Sequence, residues 1–126
     1  MTPDPQSDSL DARFAAQMGA LLGPEFPQSL CLAVSGGADS MAMLALCHGW
    51  ARHMGIALRV ATVDHCLREG SAAEAAMVAS ECAALGHPHA VLRWTWDGAG
   101  NLQDAARRAR LDLVGVWAGQ GAHVLF

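Results

Sequence analysis

Apolar positions recur in the chain with two spacings, one that of helices and one that of buried strands. Between residues 9 and 22, Phe14, Met18, Leu21 and Leu22 fall at i, i+4, i+7 and i+8, which predicts an amphipathic helix with those four side chains inward. Gly23-Pro24 ends it, and Pro27 keeps the next residues extended. Leu30-Cys31-Leu32-Ala33-Val34 is an unbroken apolar run of strand length. After Ser35-Gly36-Gly37-Ala38-Asp39-Ser40 the pattern turns helical, from about residue 39 to 53, with Gly55 as the stop. A second strand is predicted over 56–63, apolar on both faces toward its end as a central parallel strand is.

Ser71-Ala72-Ala73-Glu74 has the spacing of a capping box and opens a helix to Leu85, with Ala75, Val78, Ala79, Cys82 and Leu85 as its inner stripe. Gly86 and Pro88 separate it from a short third strand over 90–94. Asn101 is placed to cap a last helix over 102–118, with Leu102, Ala105, Ala106, Ala109, Leu113 and Val116 inward. Residues 121–126 read as the opening of a fourth strand, so the expectation is a single domain over 1–126, cut short at its fourth strand, with 1–8 as a loose polar tail.

The order βαβαβαβ with short connections predicts an α/β fold of three layers, a central parallel sheet between helices with right-handed crossovers. This is a Rossmann-like arrangement, in which ligands sit beyond the C-terminal ends of the strands where strand order reverses. Loops 35–40 and 64–68 both lie at such ends.

Composition narrows the class. Apolar residues make up 52% and charged residues 16%, the balance of a globular chain and not a disordered one. A net charge of −4 gives no overall pull toward nucleic acid, so an RNA partner would find most of its basic surface elsewhere. No apolar run is long enough to span a membrane, and the acidic N-terminus has the wrong charge for a secretory signal. Cys31, Cys47, Cys66 and Cys82 show no C-x-x-C spacing and read as thiols of a cytoplasmic protein, not as a disulfide frame or a zinc site.

The chemistry concentrates at residues 35–40. A strand that turns sharply into a helix aims backbone N–H groups and the positive end of the helix dipole at one spot, which suits phosphate. Adjacent glycines let the backbone approach a ligand, Ser35 and Ser40 add hydroxyls, and Asp39 can help to hold a metal ion. The alternative is an ordinary Gly-rich turn with Asp39 as helix cap. The Walker pattern is excluded because the chain has no lysine, and G-x-G-x-x-G is absent because the glycines are adjacent.

The S-G-G-x-D-S loop resembles the pyrophosphate loop (PP-loop) of the N-type ATP pyrophosphatases. Val63-Asp64-His65-Cys66-Leu67-Arg68, then Ser71 with Glu74-Ala75, Asn101-Leu102-Gln103 and Ala106-Arg107-Arg108-Ala109-Arg110-Leu111 follow in order. Together these resemble the N-terminal part of the catalytic domain of the tRNA(Ile)-lysidine synthetase family, over residues 28–126. The resemblance implies an adenine nucleotide alpha hydrolase-like fold and a ligase working with ATP and Mg2+. Such an enzyme adenylates the C2 carbonyl oxygen of the wobble cytidine of tRNA(Ile), and the amine of free lysine then displaces AMP.

Carried over by position, Ser35, Gly36, Gly37, Ala38, Asp39 and Ser40 would cradle the phosphates, with Asp39 on the metal. The backbone of Ala33 and Val63 would flank adenine and ribose. Asp64, His65 and Arg68 would stand near the nucleotide or the target base, and Arg107 and Arg110 would grip phosphate. The resemblance breaks at Cys66, where the family usually has glycine, and at Leu111, where it usually has tyrosine. The alternatives are another PP-loop enzyme, of the NAD or GMP synthetase or tRNA thiolase type, and a non-catalytic ATP-binding module. His48 and His53 fit the surface of the second helix, and His87 and His89 flank a proline and read as turn residues before metal ligands. An unpaired edge on the terminal strand leaves association into a homo-oligomer open.

Overall fold

The computed structural model describes residues 9–66 and 70–126. Its elements run α1 (Leu10–Leu22), β1 (Ser29–Ala33), α2 (Ala38–Met54), β2 (Ala57–Asp64), α3 (Gly70–Leu85), β3 (His89–Arg93), α4 (Leu102–Ala118) and β4 (Val124–Leu125). The strands form one parallel sheet in the order β3-β2-β1-β4. Chain order therefore reverses at β1: β2 and β3 build outward on one side, and the chain returns to place β4 on the other. That reversal makes the C-terminal end of β1 the switch point of the sheet.

Alternation along the strands assigns the layers. Leu30, Leu32 and Val34, with Leu58 and Val60, join Met18 of α1, Leu44, Cys47 and Trp50 of α2, and Val78 and Cys82 of α3 in one core. The register Leu30↔Leu58 and Leu32↔Val60 stacks these pairs on one face. Burial there pushes the Cys47 thiol up to about 12 and the Cys82 thiol up to about 11, so both stay protonated. The opposite face carries smaller side chains, Cys31, Ala33 and Ala61, and one charge, Arg59, over which α4 lies.

Arg59 fixes how α4 sits. Its guanidinium donates to the carbonyls of Trp117 (3.0 Å) and Ala118 (3.5 Å) and stacks 4.6 Å from the Trp117 ring. It thus answers the unpaired carbonyls and negative dipole end of the helix. With the helix held there, Val114 and Ala118 are the buried positions, and Val116 is 85% exposed, not inward as its spacing suggested. In α1, Met18 is buried with Phe14 and Leu22 against the core, while Leu21 is 69% exposed. The α3 stripe holds, with Ala75, Val78 and Cys82 buried. Gly55 closes α2 in the left-handed conformation, as expected. The expected tail, residues 1–8, lies outside the described residues.

Candidate nucleotide-binding site

The Val34 amide donates to the Ala61 carbonyl at 2.9 Å, which carries the β1–β2 pairing one residue past β1. The chain then turns at Gly36, whose φ of +87° lies in the region open to glycine. An added Cβ there would meet the Glu74 Cβ at 3.1 Å and the Glu74 carbonyl at 3.3 Å. The loop therefore presses directly on the first turns of α3.

Gly37 is the N-cap of α2, and no side chain caps it. The first intrahelical bond runs from the Met41 amide to the Gly37 carbonyl at 2.9 Å, so the amides of Ala38, Asp39 and Ser40 have no acceptor within the helix. The alternative in which Asp39 caps the helix is not what forms; Asp39 lies exposed in the first turn. Ser35 braces the loop from inside: its hydroxyl donates to the Ser40 Oγ (2.9 Å) and accepts from the Gly37 amide (3.3 Å). The result is a helix start with exposed donors and a positive dipole end, the arrangement that holds phosphate.

Beside it opens a cavity of about 350 Å³ lined by Ser35, Gly37, Thr62, Val63, His65, Ser71 and Glu74. The walls come from the β1 loop, the end of β2 and the start of α3. Four residues singled out from the sequence, Ser35, Gly37, Val63 and His65, meet here. Thr62, Ser71 and Glu74 were not foreseen as lining. Their signals were ambiguous, because Thr62 sits inside an apolar strand and the other two spell a capping box.

The helix in fact starts at Gly70, ahead of Ser71. The Ser71 side chain hydrogen-bonds the Asp64 carboxylate, which also accepts from the Cys66 amide at 3.0 Å. These two bonds, Ser71 first, hold Asp64 below the usual carboxylate range, with the charges of Arg93 and His65 adding to the effect and burial opposing it. Asp64 is only 5% exposed and does not line the cavity. It ties the end of β2 to α3 and shapes the turn in which Cys66 takes φ of +57°.

His65 sets its ring edge-on to Trp94, with centroids 5.9 Å apart at 89°. Its Nδ1 is buried and has no hydrogen-bond partner among the described residues. A buried imidazole nitrogen left this way, on a ring that lines a cavity, is suited to a polar atom of a ligand.

Arg110 reaches the switch point from the other face. Its Nη2 donates to the Ala33 carbonyl at 3.4 Å, and its guanidinium lies 5.1 Å from the Phe126 ring. Ala33 is buried and does not line the cavity. Arg107, three residues earlier on α4, is exposed. Arg108, beside it in sequence, borders a separate groove with Trp94 and Asp112. Arg68 falls outside the described residues.

A parallel sheet whose first strand-to-helix turn offers uncapped amides beside a cavity at the strand ends defines an α/β nucleotide-phosphate-binding domain. The chain belongs to the PP-loop domain family, whose profile matches residues 10–126. It is 50% identical over 110 residues to the tRNA(Ile)-lysidine synthase of Ruegeria pomeroyi, a match covering 86% of this chain and 24% of that protein. It is 44% identical over 115 residues to the synthase of the same name from Hyphomonas neptunium, covering 90% of this chain and 31% of that protein. The chain thus spans about a quarter to a third of the length of these relatives. In fold it is similar to the U34-tRNA thiolase NcsA from Methanococcus maripaludis, with a TM-score of 0.65 at 14% identity over 79% of this chain and 38% of the other.

Proposed function

We propose that the chain is the ATP-binding part of a tRNA(Ile)-lysidine synthase. In this reading ATP binds with its phosphates on the amides of Ala38, Asp39 and Ser40. The wobble cytidine of tRNA(Ile) attacks the α-phosphate through its C2 carbonyl oxygen, and pyrophosphate leaves. The amine of free lysine then attacks C2, and AMP departs with that oxygen. A carbonyl oxygen is a poor leaving group and an adenylate a good one, which is why the reaction consumes ATP.

The observation that carries the reading is the uncapped start of α2 beside the cavity, in a chain half identical to a protein of that name. The loop amides are set in place before charge grows on the departing pyrophosphate, so they stabilise it without reorganising. His65 offers its buried Nδ1 to the nucleotide or the target base. Arg110 holds the β1 end against α4, and Arg107 is placed to meet phosphate of ATP or RNA.

Magnesium suits the donor set, since Asp39 is an exposed carboxylate in the first turn of α2 and Mg2+ takes one or two carboxylates with substrate phosphates and water. When bound it neutralises phosphate charge. Among the described residues no helix is long and apolar enough to cross a membrane. Because its proposed substrate is tRNA(Ile), the enzyme would work where that RNA is, in the cytoplasm. The test, run on the whole protein of which the chain is the ATP-binding part, is pyrophosphate release from ATP that requires tRNA(Ile), followed by lysine-dependent release of AMP with labelled lysine appearing in the RNA. ATP binding without either product would leave a nucleotide-binding module in place of the ligase.

A further inference from the structure

His48 and His87 lie away from the nucleotide site, 39 residues apart in sequence and in contact in space. His48 projects from α2, and His87 stands between the end of α3 and the start of β3. The His48 Nδ1 and the His87 Nε2 are 2.8 Å apart, with ring centroids at 5.0 Å and planes at 68°. Both rings are half-buried. Each ring therefore aims one nitrogen at the same point, where a single proton now bridges them.

Both main-chain anchors are fixed. His48 rides on a helix that buries its neighbour Cys47 completely. The His87 amide donates to the Cys82 carbonyl at 2.9 Å, and the Pro88 carbonyl next along accepts from the Val60 amide at 3.0 Å. Cys47 and Cys82 belong to the apolar core, so the pair offers nitrogen ligands only. The nearby His89 is engaged elsewhere, its Nε2 at 2.9 Å from the Thr62 hydroxyl.

We propose that His48 and His87 form a site for a divalent transition ion of the imidazole-seeking kind, such as Zn2+, with water completing the shell. Neutral imidazole is a common ligand for these ions. A tetrahedral ion with metal–nitrogen bonds of about 2.0–2.1 Å holds its two nitrogens about 3.3 Å apart. The present 2.8 Å gap therefore has to open by only about 0.5 Å, within reach of small side-chain rotations. The ion replaces the bridging proton and staples α2 to the turn before β3. Because the unfolded chain lacks the paired geometry, binding stabilises the fold by mass action.

The experiment is a zinc titration of the whole chain carrying Cys66→Ser, which removes the exposed thiol, in a buffer free of chelators. Calorimetry gives the stoichiometry and imidazole 15N spectra give the ligands. The expected result is one ion per chain, with resonances of the His48 Nδ1 and His87 Nε2 shifting together and a rise in melting temperature that a chelator reverses. His48→Gln and His87→Gln should each weaken binding at least about tenfold. The readout on the unsubstituted pair does not depend on how either variant folds. No saturable uptake, or shifts confined to His53, His65 or His123, would overturn the proposal.

Discussion

Replacing Gly36 by alanine probes the contact that seats the phosphate loop on α3. At φ of +87° an L-residue is strained, at about 1–2 kcal/mol. The new methyl would also lie 3.1 Å from the Glu74 Cβ and 3.3 Å from the Glu74 carbonyl, so the start of α3 must shift by a few tenths of an ångström. Overpacking of this kind adds about 1–3 kcal/mol, for a total of about 2–5 kcal/mol. For a domain of this size each kcal/mol lowers the melting temperature by roughly 3–6 °C, so a fall of about 15 °C is expected.

Gly37→Ala is the internal control. Its φ is −71°, and the nearest atom to an added Cβ is the Ser35 Oγ at 3.5 Å, an ordinary contact. The weaker helix-capping preference of alanine limits its cost to about 1 kcal/mol. Urea unfolding and calorimetry of both variants measure the difference. Equal losses, or a Gly36→Ala variant within about 0.5 kcal/mol of the parent, would refute the packing argument.

Cys66→Gly should stabilise the chain by about 0.5–1 kcal/mol in urea, because φ of +57° costs a cysteine more than glycine loses in chain entropy; a loss of stability would count against a strained turn. Arg59→Met should cost about 1.5–3 kcal/mol by removing the charged bonds to α4 and the Trp117 stacking, with Arg59→Lys recovering only part; an unchanged urea midpoint would mean that α4 is held otherwise. Burial, with His48 nearby for His87, places His87 and His89 below the ordinary imidazole value of 6.5, so the unfolded chain takes up protons first as pH falls. Their contribution should be complete above pH 6.5 and decline below it, down to their folded values; His87→Gln should flatten that slope, and stability that rises on acidification through this range would contradict the assignment. Asp64 loses its contribution in the same direction but at lower pH, below the ordinary aspartate value of 3.8, as the carboxylate takes up a proton in the fold.

Elements were legible in the sequence where periodicity was strong and local. Unbroken apolar runs marked β1 and β2, and Gly55 marked the end of α2. The inner face of α4 was not legible, because alanines at 105, 106 and 109 define no sharp stripe and the decision falls to Arg59, a residue on another element. The phosphate loop was legible because its parts are contiguous. The cavity was only half so: Ser71 and Glu74 have cap spacing, and nothing local says that one bonds Asp64 while the other backs Gly36. Asp64 looks exposed in a loop motif and is buried. The pairing of His48 with His87 has no local signal at all.

The central claim is that main-chain amides at the start of α2 hold the phosphates of ATP, and amide NMR during titration with Mg-ATP and, separately, with AMP tests it most directly. Large saturable shifts at Ala38, Asp39 and Ser40 with ATP, much smaller with AMP and reproduced in large part by pyrophosphate alone, are the predicted result. Shifts that AMP reproduces in full, or that leave those three amides untouched while ATP binds, would contradict it.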